Sequence, residues 1–369
     1  MINNLIKYIA RLATNNKIDN PIATDILDND VFLYLLEYHQ ILPYLHYFKK
    51  TLQKKFPLIN EDVFLKSQVQ WMKNLCKTMV YSDFLSKSNP PEYFMVKGFV
   101  AATEFYKPEA LRSFNDMDIF IASKNLDKWM KFLEAHNFEK YGNLSDDFPL
   151  EIIKKYNFAQ HFVCREKNIA IDLHLNISNK MHPFQFDMED FFSHSKQIVT
   201  NGIKINTFQT EYQILYLLYH SFKHYYFKLL WFIDLYKVFA LADYDEHILF
   251  LLIKKYKLTK LLNFYIDIST EIFGNSGIKK DSVFFQHYKS KKNKFINSQN
   301  VIKGEFPLKN SVNRLFLPMY FLTDIRDKYK YLKLQFFPPM EIIPEFYSKK
   351  KEKNFWNYAK YRLDRLKRI

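Results

Sequence analysis

The stretch Arg112-Ser113-Phe114-Asn115-Asp116-Met117-Asp118-Ile119-Phe120-Ile121 decides how this chain is read. A strand sends successive side chains to opposite faces, so Asp116 and Asp118 share one face while Met117 and Ile119 share the other. Two carboxylates on one face repel each other unless a cation sits between them. Hard divalent ions such as Mg²⁺ take oxygen ligands and pair one or two carboxylates with substrate phosphates, an arrangement that such a strand end offers. Just upstream, Met95-Val96-Lys97-Gly98-Phe99 ends another strand-like run and leads into a helical segment over 99–106. The carboxylate pair makes metal-dependent phosphoryl chemistry the leading reading.

A third acid lies downstream in Ile169-Ala170-Ile171-Asp172-Leu173-His174-Leu175-Asn176-Ile177. The period there is two, so a strand over 169–177 carries Asp172, His174 and Asn176 on one face and apolar side chains on the other. The preceding His161-Phe162-Val163-Cys164 joins it as a hairpin through Arg165-Glu166-Lys167-Asn168. With the Asp172 strand beside the Asp116 strand, three carboxylates reach two metal ions spaced about 3.5–4 Å apart, the geometry of in-line displacement at a phosphate.

Outward from this core, residues 1–88 place apolar side chains at helical spacing, notably over 30–50 and 60–86. Ser88-Asn89-Pro90-Pro91 breaks that pattern, because each proline restricts the residue before it and removes a donor. Residues 89–208 hold strand-like runs at 93–96, 117–121, 157–163, 169–177 and 203–206, with a second helical segment at 126–137. From Thr210 the period is helical again, opened by Thr210-Glu211-Tyr212-Gln213, a capping-box pattern in which Thr and Gln each satisfy a backbone amide. Residues 279–300 are polar and lysine-rich, reading as a solvated connection. The expectation is an α+β protein with a mixed core at 89–208, an N-terminal helical region at 1–88 and a C-terminal helical region at 209–369.

Composition removes several classes. Only six glycines occur, and none are spaced as G-x-G or as a P-loop, which excludes dinucleotide-binding, P-loop and kinase-type glycine loops. Cys76 and Cys164 are too few for a zinc site or a disulfide framework, which suits a reducing, cytoplasmic setting. Residues 1–14 read as an amphipathic helix without the apolar block of a signal peptide. The most apolar stretch, 214–242, carries Lys223, Lys228, Asp234 and Lys237, a charge density too costly for a bilayer span, so no membrane insertion is expected. The net charge of +15 allows polyanion binding without naming the polyanion. Nine Lys or Arg against two acids occupy 346–369, with Phe355, Trp356, Tyr358 and Tyr361 among them. That tail fits a solvated helix face or stacking on nucleic acid.

The order strand, Lys97-Gly98 turn, helix, Arg112-x-x-x-Asp116-x-Asp118 strand and Asp172-Leu173-His174 strand resembles the poorly characterised bacterial nucleotidyltransferase family of the DNA polymerase β-like superfamily. Weaker similarities flank it at 35–45, 220–234 and 337–339. The resemblance implies a polymerase-β-like nucleotidyltransferase core of mixed sheet and helices. It implies that Asp116 and Asp118 bind two Mg²⁺ (or Mn²⁺) ions and that Asp172 helps hold the ion activating the attacking hydroxyl. Gly98 matches the glycine at which the backbone approaches the triphosphate. Two features depart from the superfamily: Phe99 stands where a Ser is usual, and Gly98 and Asp116 are more widely separated.

The remaining candidates carry two readings each. Lys97 neutralises phosphate or is a solvated lysine at a strand end. Arg112 grips a phosphate or braces the Asp116 loop. His174 contacts the nucleotide or is a satisfied structural histidine. With Gly98 these make the nucleotide-binding set. His220 and His224 stand at zinc-helix spacing but lack the Glu of H-E-x-x-H and a third ligand. Asp234, in an apolar helix, needs a partner, either a basic group facing the site or one on another helix. The expected reaction is attack of an acceptor hydroxyl on the α-phosphate of a nucleoside triphosphate such as ATP, releasing pyrophosphate. The acceptor is read as a small molecule or sugar. The alternatives are an RNA or protein acceptor, or a catalytically degenerate nucleotide- or RNA-binding module.

Overall fold

A computed structural model of the chain describes residues 2–14, 27–141, 148–226, 228–290, 296–304 and 311–342. The basic tail at 346–369 lies outside the described residues. The fold is mixed α+β, and its contacts cluster into two compact units. One gathers Met1–Asn89, Met95–Asp116 and His194–Phe306; the other gathers Pro90–Phe94, Met117–Ser193 and Pro307–Ile369.

The second unit is built on a five-stranded sheet of β1 (Phe94–Met95), β2 (Met117–Phe120), β3 (Glu139–Lys140), β4 (Gln160–Cys164) and β5 (Ile169–His174), in the order β1-β2-β5-β4-β3. β2 and β5 run parallel, while β5, β4 and β3 are successively antiparallel. The hairpin expected through 165–168 forms, pairing Cys164 with Ile169 and turning at Asn168, whose φ of +52° suits a residue that tolerates the left-handed region. β5 stops at His174, three residues before the expected end. The Asn176 side chain accepts from the Ser178 amide and donates to the Phe186 carbonyl, a local turn that competes with the ladder. β4 starts later than expected because Asn157, at φ +56°, caps the helix Leu150–Tyr156. All four residues of β2 are buried, which makes it an interior strand. Its Met117 and Ile119, with Ile171 and Leu173 of β5, are at most 1% exposed. Trp129, fully buried on the helix Leu126–Ala135, donates its indole N–H to the Glu92 carbonyl.

The first unit is mainly helical. Ile2–Ala13 buries Leu5, Ile6, Ile9 and Ala13 along one face, as its periodicity predicts. The long helix Glu61–Ser88 ends where Asn89 turns left-handed at φ +46°, directly before the two prolines. A hairpin of β6 (Ser195–Thr200) and β7 (Ile203–Phe208) turns at Asn201 and Gly202, both with positive φ, the signature of a tight two-residue hairpin turn. β6 has no counterpart in the sequence expectation, although Asn201-Gly202 is a hairpin signal. The capping box at Thr210 does not form. Thr210 is already inside the helix Thr210–Lys223, and the Gln213 amide donates instead to Glu104 and to the Phe208 carbonyl. The stretch read as a solvated connection contains the helix Val283–His287, whose Phe284 is buried, and the start of the helix Ser298–Lys303. Among the described residues, no helix is long and apolar enough to cross a membrane.

His39 ties three parts of this unit together. Its Nε2 donates to the Ile302 carbonyl at 2.9 Å, and its Nδ1 accepts from the Leu229 amide at 3.3 Å. Both nitrogens are committed only in the neutral ring, and burial holds the pKa down to about 4 against an ordinary 6.5. The unfolded chain therefore binds this proton more readily. The stabilisation is complete above pH 6.5 and is lost as pH falls towards 4, by about 3 kcal/mol in all. Urea unfolding between pH 7 and 4 checks this: wild-type stability falls across that window, and His39→Gln flattens part of the fall.

Candidate active site

In the second unit, the sheet register builds a cluster of acids and imidazoles. Parallel pairing sets Asp118 beside Asp172 and Phe120 beside His174, and antiparallel pairing sets His161 on the other side of Asp172. Residues paired across a sheet share a face, so Asp118, Asp172, His174 and His161 converge from three strands. One ligand atom from each of Asp118, Asp172 and His174 lies within 4.8 Å of the others, a group that could hold a metal ion. Asp118 is 2% exposed. A carboxylate that deep is tolerated only with charged or hydrogen-bonding neighbours, and His174 Nε2 stands 3.3 Å from its Oδ1. The His161 Nδ1–H donates to Asp172 Oδ1 at 2.6 Å, which orients the carboxylate as an outer partner orients a metal ligand. His174 also stacks on Phe120, with ring centroids 4.8 Å apart.

The donor set fits a divalent ion. Two carboxylates suit Mg²⁺ or Mn²⁺, whereas an imidazole nitrogen suits later first-row ions. His174 is placed either to be a third ligand or to steady Asp118 through its Nε2. The sequence singled out Asp118, Asp172 and His174 but gave His161 no role. The hairpin register, read outward from the turn at 165–168, already sets His161 opposite Asp172.

In the first unit, a cleft of about 300 Å³ is lined by Lys97, Gly98, Arg112, Asp116, His220 and Lys228, among others. The long helix Glu61–Ser88 holds one wall. Asn74 donates to the Ala110 carbonyl and the Ser113 hydroxyl, Lys77 to the Phe114 carbonyl and Tyr81 to the Asn115 carbonyl. Residues 74, 77 and 81 lie on one helical face, so one face grips the chain leading to Asp116. Lys97 precedes the helix Gly98–Phe105 at φ +47° and ψ −154°, a strained conformation for a residue with a Cβ.

Arg112 is deeply buried, and its partner is Asp234. The guanidinium meets both carboxylate oxygens, Nε to Oδ1 at 3.1 Å and Nη2 to Oδ2 at 2.7 Å, while Nη1 donates to the Ser113 carbonyl. The Tyr106 hydroxyl adds a third bond to Asp234 at 2.5 Å. Of the two readings of Arg112, these contacts describe a brace, anchored on the helix Leu229–Leu241. The partner that Asp234 requires is thus a cation that also lines the cleft. His220 and His224 join the cleft wall beside Trp231, their rings 5.3 Å from its ring. Among the described residues they belong to no group arranged to hold a metal ion. Burial, then Lys97 and His224, push His220 well below its ordinary pKa. Burial and Lys97 push the Lys228 ammonium down, with Asp116 pulling the other way. Lys77, Lys228 and Trp231 carry no local sequence signal, since each reads as an ordinary helix or loop residue.

The mixed α+β chain thus carries, on adjacent strands, a group of side chains that could hold a metal ion. The family described as an uncharacterised nucleotidyltransferase matches residues 26–274, and the chain belongs to that family. No curated protein and no solved structure matches the chain.

Breaking a buried ion pair on one side strands the other charge, at a cost of about 3–5 kcal/mol. Asp234→Ala should therefore lower stability in urea by about that amount, whereas the double replacement Arg112→Met with Asp234→Leu should recover most of it.

Proposed function

We propose that the chain is a metal-dependent nucleotidyltransferase with a polymerase-β-like core, transferring a nucleoside monophosphate from a nucleoside triphosphate to an acceptor hydroxyl. The reading is carried by the convergence of Asp118 and Asp172 on neighbouring parallel strands, with His174 beside them. Family membership supports the use of a nucleotide. Asp118 and Asp172 would hold the divalent cation, Mg²⁺ or Mn²⁺. Asp116 enters on sequence grounds, as the first acid of Asp116-Met117-Asp118. A bound divalent ion supplies neutralisation of phosphate charge and acidification of the attacking hydroxyl.

The chain's own groups supply the rest. Asp172, oriented by the His161 N–H on its Oδ1, takes the proton of the acceptor hydroxyl on its other oxygen. The acceptor oxygen bonds to the α-phosphorus as the bond to the bridging oxygen breaks, and pyrophosphate leaves with that electron pair. Lys97 and the backbone at Gly98 receive phosphate charge, Arg112 braces the segment before Asp116 against the helix Leu229–Leu241, and His174 steadies Asp118. We take the acceptor to be a small molecule or sugar. An RNA or protein acceptor remains the second enzymatic reading, and a degenerate binding module the non-enzymatic one.

Incubation with each α-labelled nucleoside triphosphate, a divalent ion and a cell extract tests the proposal. Label should move to an acceptor with wild-type protein and fall at least about a hundredfold with Asp118→Asn or Asp172→Asn, while circular dichroism stays unchanged. Transfer that persists in excess chelator, or in both variants, would overturn the reading.

A further inference from the structure

The cleft of the first unit has more cationic than anionic lining. Lys97 and Lys228 line it together with Arg112, whose charge Asp234 matches, and among the described residues the only carboxylate in the lining is Asp116. Asp116 interacts electrostatically with Lys77 as well as Lys228, so one acid is opposed by two ammonium groups. These cations raise the potential on one another, since Lys97 and Arg112 both act against the charged form of Lys228. Partly buried like charges are unfavourable in isolation and favourable around an anion carrying several negative charges.

The shape agrees. The helix Gly98–Phe105 begins at the cleft with its Gly98 in the lining, so its first amides and positive dipole end add to the same field. At about 300 Å³ the space lies at the lower limit of ligand pockets, roughly 300–1,000 Å³, which suits one compact moiety of a larger ligand. Trp231 forms part of the wall, with the Lys228 ammonium 5.6 Å from its ring centroid.

We propose that this cleft seats the triphosphate of the nucleotide, and that Lys228, from the loop ahead of the helix Leu229–Leu241, grips it together with Lys97 and the Gly98 amide. Naming a triphosphate rests on the nucleotidyltransferase reading; the polyphosphate chemistry rests on the cleft alone. Lys228 is then a binding residue outside the acidic motifs, and Trp231 reports on the cleft's occupancy.

The test uses inorganic tripolyphosphate, titrated into the full chain in chelator and followed by calorimetry and tryptophan fluorescence. Wild type should bind it more tightly than inorganic phosphate, and binding should weaken as salt rises. Lys228→Gln should weaken it about tenfold, Lys228→Arg should restore most of it, and Trp231→Phe should remove the fluorescence change while leaving the heat signal. Equal tripolyphosphate binding by wild type and Lys228→Gln, with both folded by circular dichroism, would overturn the proposal. So would a single-stranded oligonucleotide displacing tripolyphosphate at lower concentration than a nucleoside triphosphate does. The two readings separate cleanly. Tripolyphosphate binding that depends on Lys228 without any label transfer retains this site and removes the enzymatic reading, whereas transfer with a KM for nucleotide unchanged in Lys228→Gln does the reverse.

Discussion

The parallel pairing of β2 with β5 sets the positions of Asp118, Asp172 and His174 in the second unit's cluster. Met117 pairs with Ile171, Asp118 with Asp172, Ile119 with Leu173 and Phe120 with His174. A slip of one residue would turn Asp118 to the face that Ile171 and Leu173 occupy and leave a carboxylate among apolar side chains. The apolar residues on that face therefore enforce the register. The acids meet on the opposite face as a consequence of how the core packs. β4 extends the arrangement, because its antiparallel register brings His161 to the far side of Asp172.

In the first unit the corresponding constraint is the Arg112–Asp234 pair. It is buried, bidentate and reinforced by Tyr106, and it joins residues 122 positions apart in the chain. A buried ion pair adds little net stability compared with an apolar pair of the same size, but removing one member is costly. What the pair provides is position: it ties the segment before Asp116 to the helix that follows Lys228. The long helix Glu61–Ser88 supports the same segment from its side chains at 74, 77 and 81. A cleft of several cations and one acid can thus keep its shape although its own charges repel.

Local pattern was a good guide where backbone and side chain ask for the same thing. The strict alternation read over 169–177 forms a strand over its first six residues, and the four-residue turn before it and the break at the double proline after Asn89 also appear in the fold. Local pattern misled where a side chain had a better partner than the one the pattern assigns. Gln213 leaves the Thr210 box for Glu104, and Asn176 ends β5 early by bonding within its own turn. β6 went unread because its burial is partial and its residues mixed, although the Asn201-Gly202 turn announced a hairpin.

The sequence by itself pointed to the α+β class and nominated Asp116, Asp118, Asp172, His174 and the Lys97-Gly98 turn as candidates, because these are matters of residue type at short spacing. Only the tertiary structure decided that Asp118 lies beside Asp172, that Arg112 is spent on Asp234, and that Lys228 and Trp231 share a cleft with Lys97. Those pairings join residues far apart in the chain, and their selection depends on the packing of whole strands and helices, which no local window of sequence contains.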